Sequence, residues 1–429
     1  MKSIYNTLRD HAVFGRFVKA IRKIYYFLIN RRDKEFPTQP YVFSKNDAKK
    51  VYYVVLSGKL HHKSGTEVIS LEREFAEYHG VSFALATNAG TSALEMAIKS
   101  IGIHPGDEVI VPAYTFVATA QAVISRGGIP IFADIDDTFT ISPDSILKHI
   151  NKRTKAIIPV HIFGNVADMD QITKIAKRYK LFVIEDCCQA IGASYRNKKV
   201  GALGDIGCFS FNEKKAVTTG QGGMFITANK DLFTIANLTR ETGQLRETTG
   251  SDVVTTGNTY AMTEMQAVLA RSILAQLDVL NLHRRRNYDC FVKLMDSQDL
   301  PIRWYRILPE VSASFSRLVF MIDFRSLGIS RNSFIDSIRL QGIPMKTFYP
   351  VPLYMYSLFK KRMDCLTKNR FPFTTNTHVC YAKHLPYVEL FCAQQAGIEF
   401  SPYLTDTHIS NLCRTLRTTL LSYVSRSST

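Results

Sequence analysis

GDIGCFSFNEKKAVTTGQGGMFIT, residues 204–227, joins a short apolar strand, two adjacent lysines, a glycine turn and a second apolar strand in one segment. The first strand ends at Phe209-Ser210-Phe211, Lys214 and Lys215 follow, and TTGQGG is a tight turn ahead of GGMFIT. Lysines are ordinarily solvated surface charges, and at least one of these two is expected to be just that. A lysine held in an apolar, partly desolvated site has a lowered pKa, the condition under which an amine forms a Schiff base.

Immediately upstream, VIEDCCQAIGA (183–193) reads as a strand ending in an exposed pair of carboxylates, Glu185 and Asp186. In an open α/β sheet ligands gather at the carboxyl ends of strands, where a carboxylate can pair with a cationic ring nitrogen or with Mg²⁺, or can simply cap a helix. Further upstream, ATNAGTSALEMAI (86–98) places Gly90, Thr91 and Ser92 at a helix start directly after a strand. Unpaired backbone N–H groups at the positive end of a helix dipole suit a phosphate, although Thr or Ser there is equally a normal N-cap.

The same alternation extends over residues 64–280. SLEREFAEYHG (70–80) has helical periodicity. SFALAT, DEVIVPAY, IPIFADID, AIIPVHIFG and LFVIEDC are short apolar runs separated by helical stretches. Near-continuous apolar strands between helices predict an α/β fold with a mostly parallel sheet covered on both faces. Residues 262–281 read as one long helix, and mixed strand and helix signals from about 285 predict a smaller α+β domain. The expected division is a basic extension over 1–40, a large α/β domain over 41–284 and a small domain over 285–429.

The chain of 429 residues, 46% hydrophobic with 15 Pro and 23 Gly, has the composition of two or three packed units and excludes collagen-like, solenoid or disordered architectures. Eight Cys without a CxxC or a secretory leader predict reduced thiols, a cytoplasmic setting, and neither a structural disulfide nor a metal site. The net charge of +17 attracts polyanions, but with no nucleic-acid module, nucleic acid is not an expected partner. Residues 1–33 hold eight basic residues against two acidic ones, with Phe14, Phe17, Val18, Ile21, Tyr25 and Leu28 at helical spacing. The uncharged run Ile24–Asn30 is far too short to span a bilayer, so residues 1–32 are expected to form an amphipathic helix. It would lie on the protein's own body, at a subunit contact, on a partner or peripherally on an anionic membrane.

The order GTSAL, IEDCCQA, FSFNEKKAVTTGQGG resembles the DegT/DnrJ/StrS family of pyridoxal-phosphate sugar aminotransferases, of fold type I. SGKLHHKSGTEVISLEREFAEYHGV, GDEVIVPAYTFVATAQAV, PVHIFGNVADMDQI and SPYLTD extend the likeness over residues 50–410. The resemblance implies the cofactor pyridoxal 5′-phosphate, with Lys215 as the lysine that bonds to its aldehyde and then shuttles a proton. Lys214 is then a bystander. It further implies Asp186 as partner of the pyridinium nitrogen, Gln189 beside the ring, Phe116 stacked on its face, and Gly90, Thr91 and Ser210 around the phosphate. His161 matches a family position and is read as structural. A nucleotide-linked keto sugar would accept the amine, glutamate would donate it, and a homodimer would build the site, serving amino-sugar or surface polysaccharide biosynthesis.

The retained lysine sets the chain apart from the family's dehydratase branch. Four positions depart from the pattern. An Asn and an Arg common before MTELQAA are Thr259 and Ala261 here, with Asn258, Arg240 and Arg246 as candidate replacements. The Glu usual in GEGG is Gln221, and the His after PL is Tyr354. These changes open the alternative of a catalytically weakened member that binds cofactor or a partner.

Overall fold

The computed structural model describes residues 36–247, 250–295, 300–373, 381 and 384–427. The helix expected over residues 1–32 lies outside the described residues. The apolar runs form one seven-stranded sheet of β1 (Phe83–Thr87), β2 (Glu108–Pro112), β3 (Ile129–Ala133), β4 (Thr154–Ile157), β5 (Phe182–Asp186), β6 (Ile206–Ser210) and β7 (Gly223–Thr227). Their spatial order is β1-β7-β6-β5-β4-β2-β3. Neighbours from β6 to β3 run parallel, while β7 runs against both β6 and β1. β2 and β7 are buried along their whole length, so their sequences show no polar alternation.

The helices around this sheet, in chain order, are α1 (Lys45–Leu56), α2 (Glu67–His79), α3 (Gly90–Ser100), α4 (Ala118–Ser125), α5 (Pro143–His149), α6 (Met169–Tyr179), α7 (Lys230–Arg240), α8 (Glu264–Leu274) and α9 (Leu277–Met295). Successive side chains of a strand point to opposite faces, so β2 feeds two cores. Val109 and Val111 join Leu94 and Ile98 of α3 in one, and Ile110 joins Phe75 of α2 and Ile172 of α6 in the other. Gly80, in the left-handed region at φ +68°, ends α2.

The single helix expected over residues 262–281 is two. At Ala275–Gln276 the chain closes an i→i+3 bond from the Gln276 N–H to the Ile273 carbonyl at 3.0 Å, and the Gln276 amide donates to Tyr41 Oη and to the Ser272 carbonyl, both at 3.1 Å. The break lets α8 pack on α2 while α9 turns toward the C-terminal helix Asp406–Ser427. A second, antiparallel sheet follows, with β8 (Ile302–Trp304), β9 (Arg317–Ile322) and β10 (Gln395–Glu399) in that order. Arg317 opens β9 and lies opposite Glu399 at the end of β10.

Candidate active site

Gly90, Thr91, Phe116, Asp186, Gln189, Ser210 and Lys215 all line one cavity of about 410 Å³. It sits past the ends of β1, β5 and β6, which finish at Thr87, Asp186 and Ser210. That is where an open α/β sheet leaves room for a ligand.

The carboxylate pair read as exposed is buried: Glu185 is 0% and Asp186 4% exposed. Strand alternation explains the division of labour, since adjacent residues face opposite ways. Glu185 accepts from the N–H groups of Gly201 (2.7 Å), Leu203 and Gly204 (both 2.6 Å) and from His161 Nε2 at 3.0 Å. His161 Nδ1 accepts from the Ala167 N–H at 3.2 Å, which leaves the ring proton on Nε2. His161, Glu185 and Cys187 lie close together, but the first two are already committed to these bonds. Glu185 thus ties the 201–204 loop to β5 and neither caps a helix nor presents itself to Mg²⁺. Asp186 faces the cavity. Its Oδ2 accepts from Thr119 Oγ1 at 2.8 Å and its Oδ1 from the Cys188 N–H at 3.1 Å.

Lys214 is exposed and Lys215 half-buried in the turn after β6, where the Lys215 N–H donates to the Asn212 carbonyl at 2.9 Å. Among the described residues the Lys215 amine forms no hydrogen bond or ion pair. Desolvation lowers its pKa and the Arg317 charge adds to that, against the opposing pull of Cys188, Asp186 and Glu399.

The N-cap of α3 is Ala89, with no side-chain cap, and the Ser92 hydroxyl is turned back to Asn88 Oδ1 at 2.7 Å. Neither Thr91 nor Ser92 therefore caps the helix, and its first N–H groups remain open toward the cavity. A Cβ on Gly90 would stand 2.7 Å from the Ser210 Cβ and 3.2 Å from the Cys188 sulfur. Only glycine lets the helix start come this close to the end of β6. Phe116 leaves 54% of its surface open on the cavity wall, with its ring 6.3 Å from that of Tyr349.

Thr119, Arg317 and Tyr349, which sequence reasoning missed, also line the wall. Thr119 stands one helical turn after Phe116, a spacing that could have flagged it. Arg317 is 8% exposed: Nη1 donates to Gln189 Oε1 at 2.9 Å and to Tyr349 Oη at 3.4 Å, and Nε to Glu399 Oε2 at 3.2 Å. Tyr349 holds a left-handed backbone at φ +45° and accepts from Gln189 Nε2 at 3.3 Å. Gln189 is gripped further by the Ser316 hydroxyl, which donates to its carbonyl at 2.8 Å.

Of the departures from the family pattern, only Gln221 is on the cavity wall among the described residues. Thr259 and Ala261 pair by backbone with Glu241 and Thr87. The Asn258 amide meets Tyr260 Oη at 2.9 Å. Arg240, 7% exposed, is held by Glu72 and Glu241, so in this chain it does not supply the missing cation. The Arg246 side chain lies outside the described residues. Gln221 lines the cavity, whereas Tyr354 is buried and bonded to Glu389.

Pyridoxal phosphate fits this donor set. An amine in a dry wall, a buried carboxylate held by a hydroxyl, an uncapped helix start in a glycine cradle and an open aromatic face meet the needs of its aldehyde, ring nitrogen, phosphate and ring.

Comparisons with known proteins agree. Residues 43–396 match the model of the DegT/DnrJ/EryC1/StrS aminotransferase family. The chain is 34% identical over 360 residues to the UDP-N-acetyl-3-dehydro-α-D-glucosamine 3-aminotransferase of Acidithiobacillus ferrooxidans, covering 83% of this chain and 89% of that one. It is 43% identical over 220 residues to the GDP-perosamine synthase of Caulobacter vibrioides, covering 51% and 58%. An aminotransferase structure from Psychrobacter cryohalolentis superposes with a TM-score of 0.82 at 28% identity, over 91% of this chain and 100% of that one. The chain belongs to the DegT/DnrJ/EryC1/StrS family and is a pyridoxal-phosphate-dependent sugar aminotransferase of fold type I.

Proposed function

We propose that this enzyme moves an amino group from glutamate to a nucleotide-linked keto sugar, with Lys215 as the attachment lysine. The observation that carries the reading is the meeting of Lys215 and Asp186 in one cavity against the open start of α3. Two relatives bear the names of enzymes that act on or make nucleotide sugars, which supports that substrate class. The net charge of +17 would steer such an anion inward.

Pyridoxal phosphate, when bound, supplies a ring that withdraws electron density from the carbon next to the transferred nitrogen. Asp186, fixed by Thr119, would hold a proton on the ring nitrogen. The N–H groups at the start of α3, with Thr91 and Ser210, would bind the phosphate, and Gly90 would let them approach. Phe116 would cover the ring face and Gln189 would flank its edge. Lys215 Nζ, desolvated and so more fully unprotonated near neutral pH, would take the proton from the donor carbon and return it to the carbon on the far side of the transferred nitrogen. We propose further that the enzyme is a homodimer of the cytoplasm. Among the described residues no helix is long and apolar enough to cross a membrane. Tyr52, Tyr53, Val55 and Leu56 of α1 are exposed at 57–64% or, for Val55, 49%, an apolar face suited to a second copy.

Borohydride reduction of the holoenzyme followed by peptide mapping tests this reading. A pyridoxyl adduct on Lys215 is expected, together with a visible absorption band that glutamate bleaches. Lys215→Ala should abolish adduct and turnover, and Lys214→Ala should leave both nearly intact; the reverse pattern would overturn the assignment.

A further inference from the structure

Every amino acid donor carries a carboxylate one bond from the carbon that bears its amine. If Lys215 is the reacting lysine, as proposed above, a cation facing the same cavity would pair with that carboxylate. Among the described residues three cationic side chains line the cavity: Lys214, Lys215 and Arg317. Lys214 is exposed to solvent and Lys215 is the reacting group, which leaves Arg317 as the buried, non-reacting charge.

The arginine is built into place. Its guanidinium lies 4.6 Å from the Phe348 ring centre and 5.9 Å from that of Phe163, so its plane is set by aromatic packing. Nε and Nη1 are committed to Glu399, Gln189 and Tyr349, while Nη2 makes no hydrogen bond among the described residues. Glu399 does not cancel the charge, because Lys346 Nζ also binds it, at 2.8 Å. Burial works against the Glu399 charge, but Arg317 and Lys346 outweigh it and hold its carboxyl below the ordinary range. The trio therefore carries one net positive charge. Tyr349, kept in its left-handed backbone, adds a hydroxyl beside the same guanidinium.

We propose that Arg317 is the donor-recognition residue: its free Nη2, supported by the Tyr349 hydroxyl, binds the α-carboxylate of the amino donor and so presents the donor amine to the Lys215 side of the cavity. Glu399 and Lys346 act through Arg317 as positioning residues. The assignment belongs to the donor half of the reaction and makes no demand on the sugar.

The experiment is a single-turnover measurement of the donor half-reaction with glutamate, followed as bleaching of the visible band, on the wild type, R317K and R317Q. Cofactor attachment is checked first by borohydride trapping at Lys215. In R317Q the glutamate concentration for half-saturation should rise about 10- to 100-fold, the value of a charge-assisted hydrogen bond, while R317K retains part of the affinity. The calorimetric affinity for glutarate, a diacid without an amine, should fall in parallel. Loaded R317Q with wild-type affinity for both glutamate and glutarate would overturn the inference, and if R317Q does not fold, unchanged affinities in R317K would do so. Failure of trapping at Lys215 in the wild type would instead sink the underlying functional reading.

Discussion

Thr119 shows how much of the site rests on one hydroxyl. It is 1% exposed and donates to Asp186 at 2.8 Å, while its oxygen also meets the Thr115 hydroxyl at 3.3 Å. Thr119→Val keeps the shape and removes the donor, leaving a buried carboxylate one bond short. Cofactor affinity, measured by equilibrium dialysis, should weaken by about 1–3 kcal/mol, with the fold intact by circular dichroism. Sequence reading reached the residues that touch the cavity through local motifs: Lys215 through its turn and Asp186 through its strand end. It missed Arg317 and Tyr349 because nothing local marks them. Their meeting with Gln189 depends on the second sheet docking against the first, and an arginine at the start of an apolar strand looks like any strand edge. The residues alone leave Glu185 and Asp186 an undivided pair, and only the family resemblance singles out Asp186; strand alternation supplies the reason, separating a loop clamp from a cavity wall.

The start of α3 carries the phosphate reading, and Gly90 is where that element is most vulnerable. Gly90→Ala would bring a methyl to 2.7 Å from the Ser210 Cβ, so either helix or strand must shift. A loss of about 1–3 kcal/mol is expected in thermal or urea unfolding of the apoprotein, with a sharper loss of cofactor binding. At the C-terminal end of α2, His79 is buried 4.3 Å from the Phe75 ring, and its pKa is pushed down to about 3, chiefly by desolvation. The native state keeps it neutral, whereas the unfolded chain protonates it near pH 6.5. Its contribution is thus fully present above pH 6.5 and is lost as pH falls toward 3. His79→Leu should flatten that part of the stability profile, by a few kcal/mol at most, when urea midpoints are compared between pH 7 and 4. Element types were legible from apolar runs and helical periodicity. The break between α8 and α9 was not, because MTEMQAVLARSILAQLDVLN contains no Gly or Pro and the turn is held by Gln276 reaching Tyr41 far upstream.

For the molecule as a whole, the exposed side chains of α1 set an expectation about assembly. Leu56, 64% exposed, is a solvent-facing leucine whose replacement costs the isolated subunit little. Leu56→Glu should therefore shift a dimer toward monomer in analytical ultracentrifugation without lowering the monomer's own unfolding midpoint. An unchanged sedimentation profile would place the subunit contact on another face.

The reversed strand β7 has a consequence for synthesis. β1 emerges early from the ribosome, yet in the sheet its hydrogen-bonded neighbour is β7, which lies far downstream. Until β7 is translated, β1 has no hydrogen-bonded edge to dock on, and β1 is the strand that leads into the start of α3 opposite Ser210. The nascent chain must therefore complete most of the sheet before vitamin B6 can find a pocket, so the vitamin can trap the finished fold but cannot nucleate it.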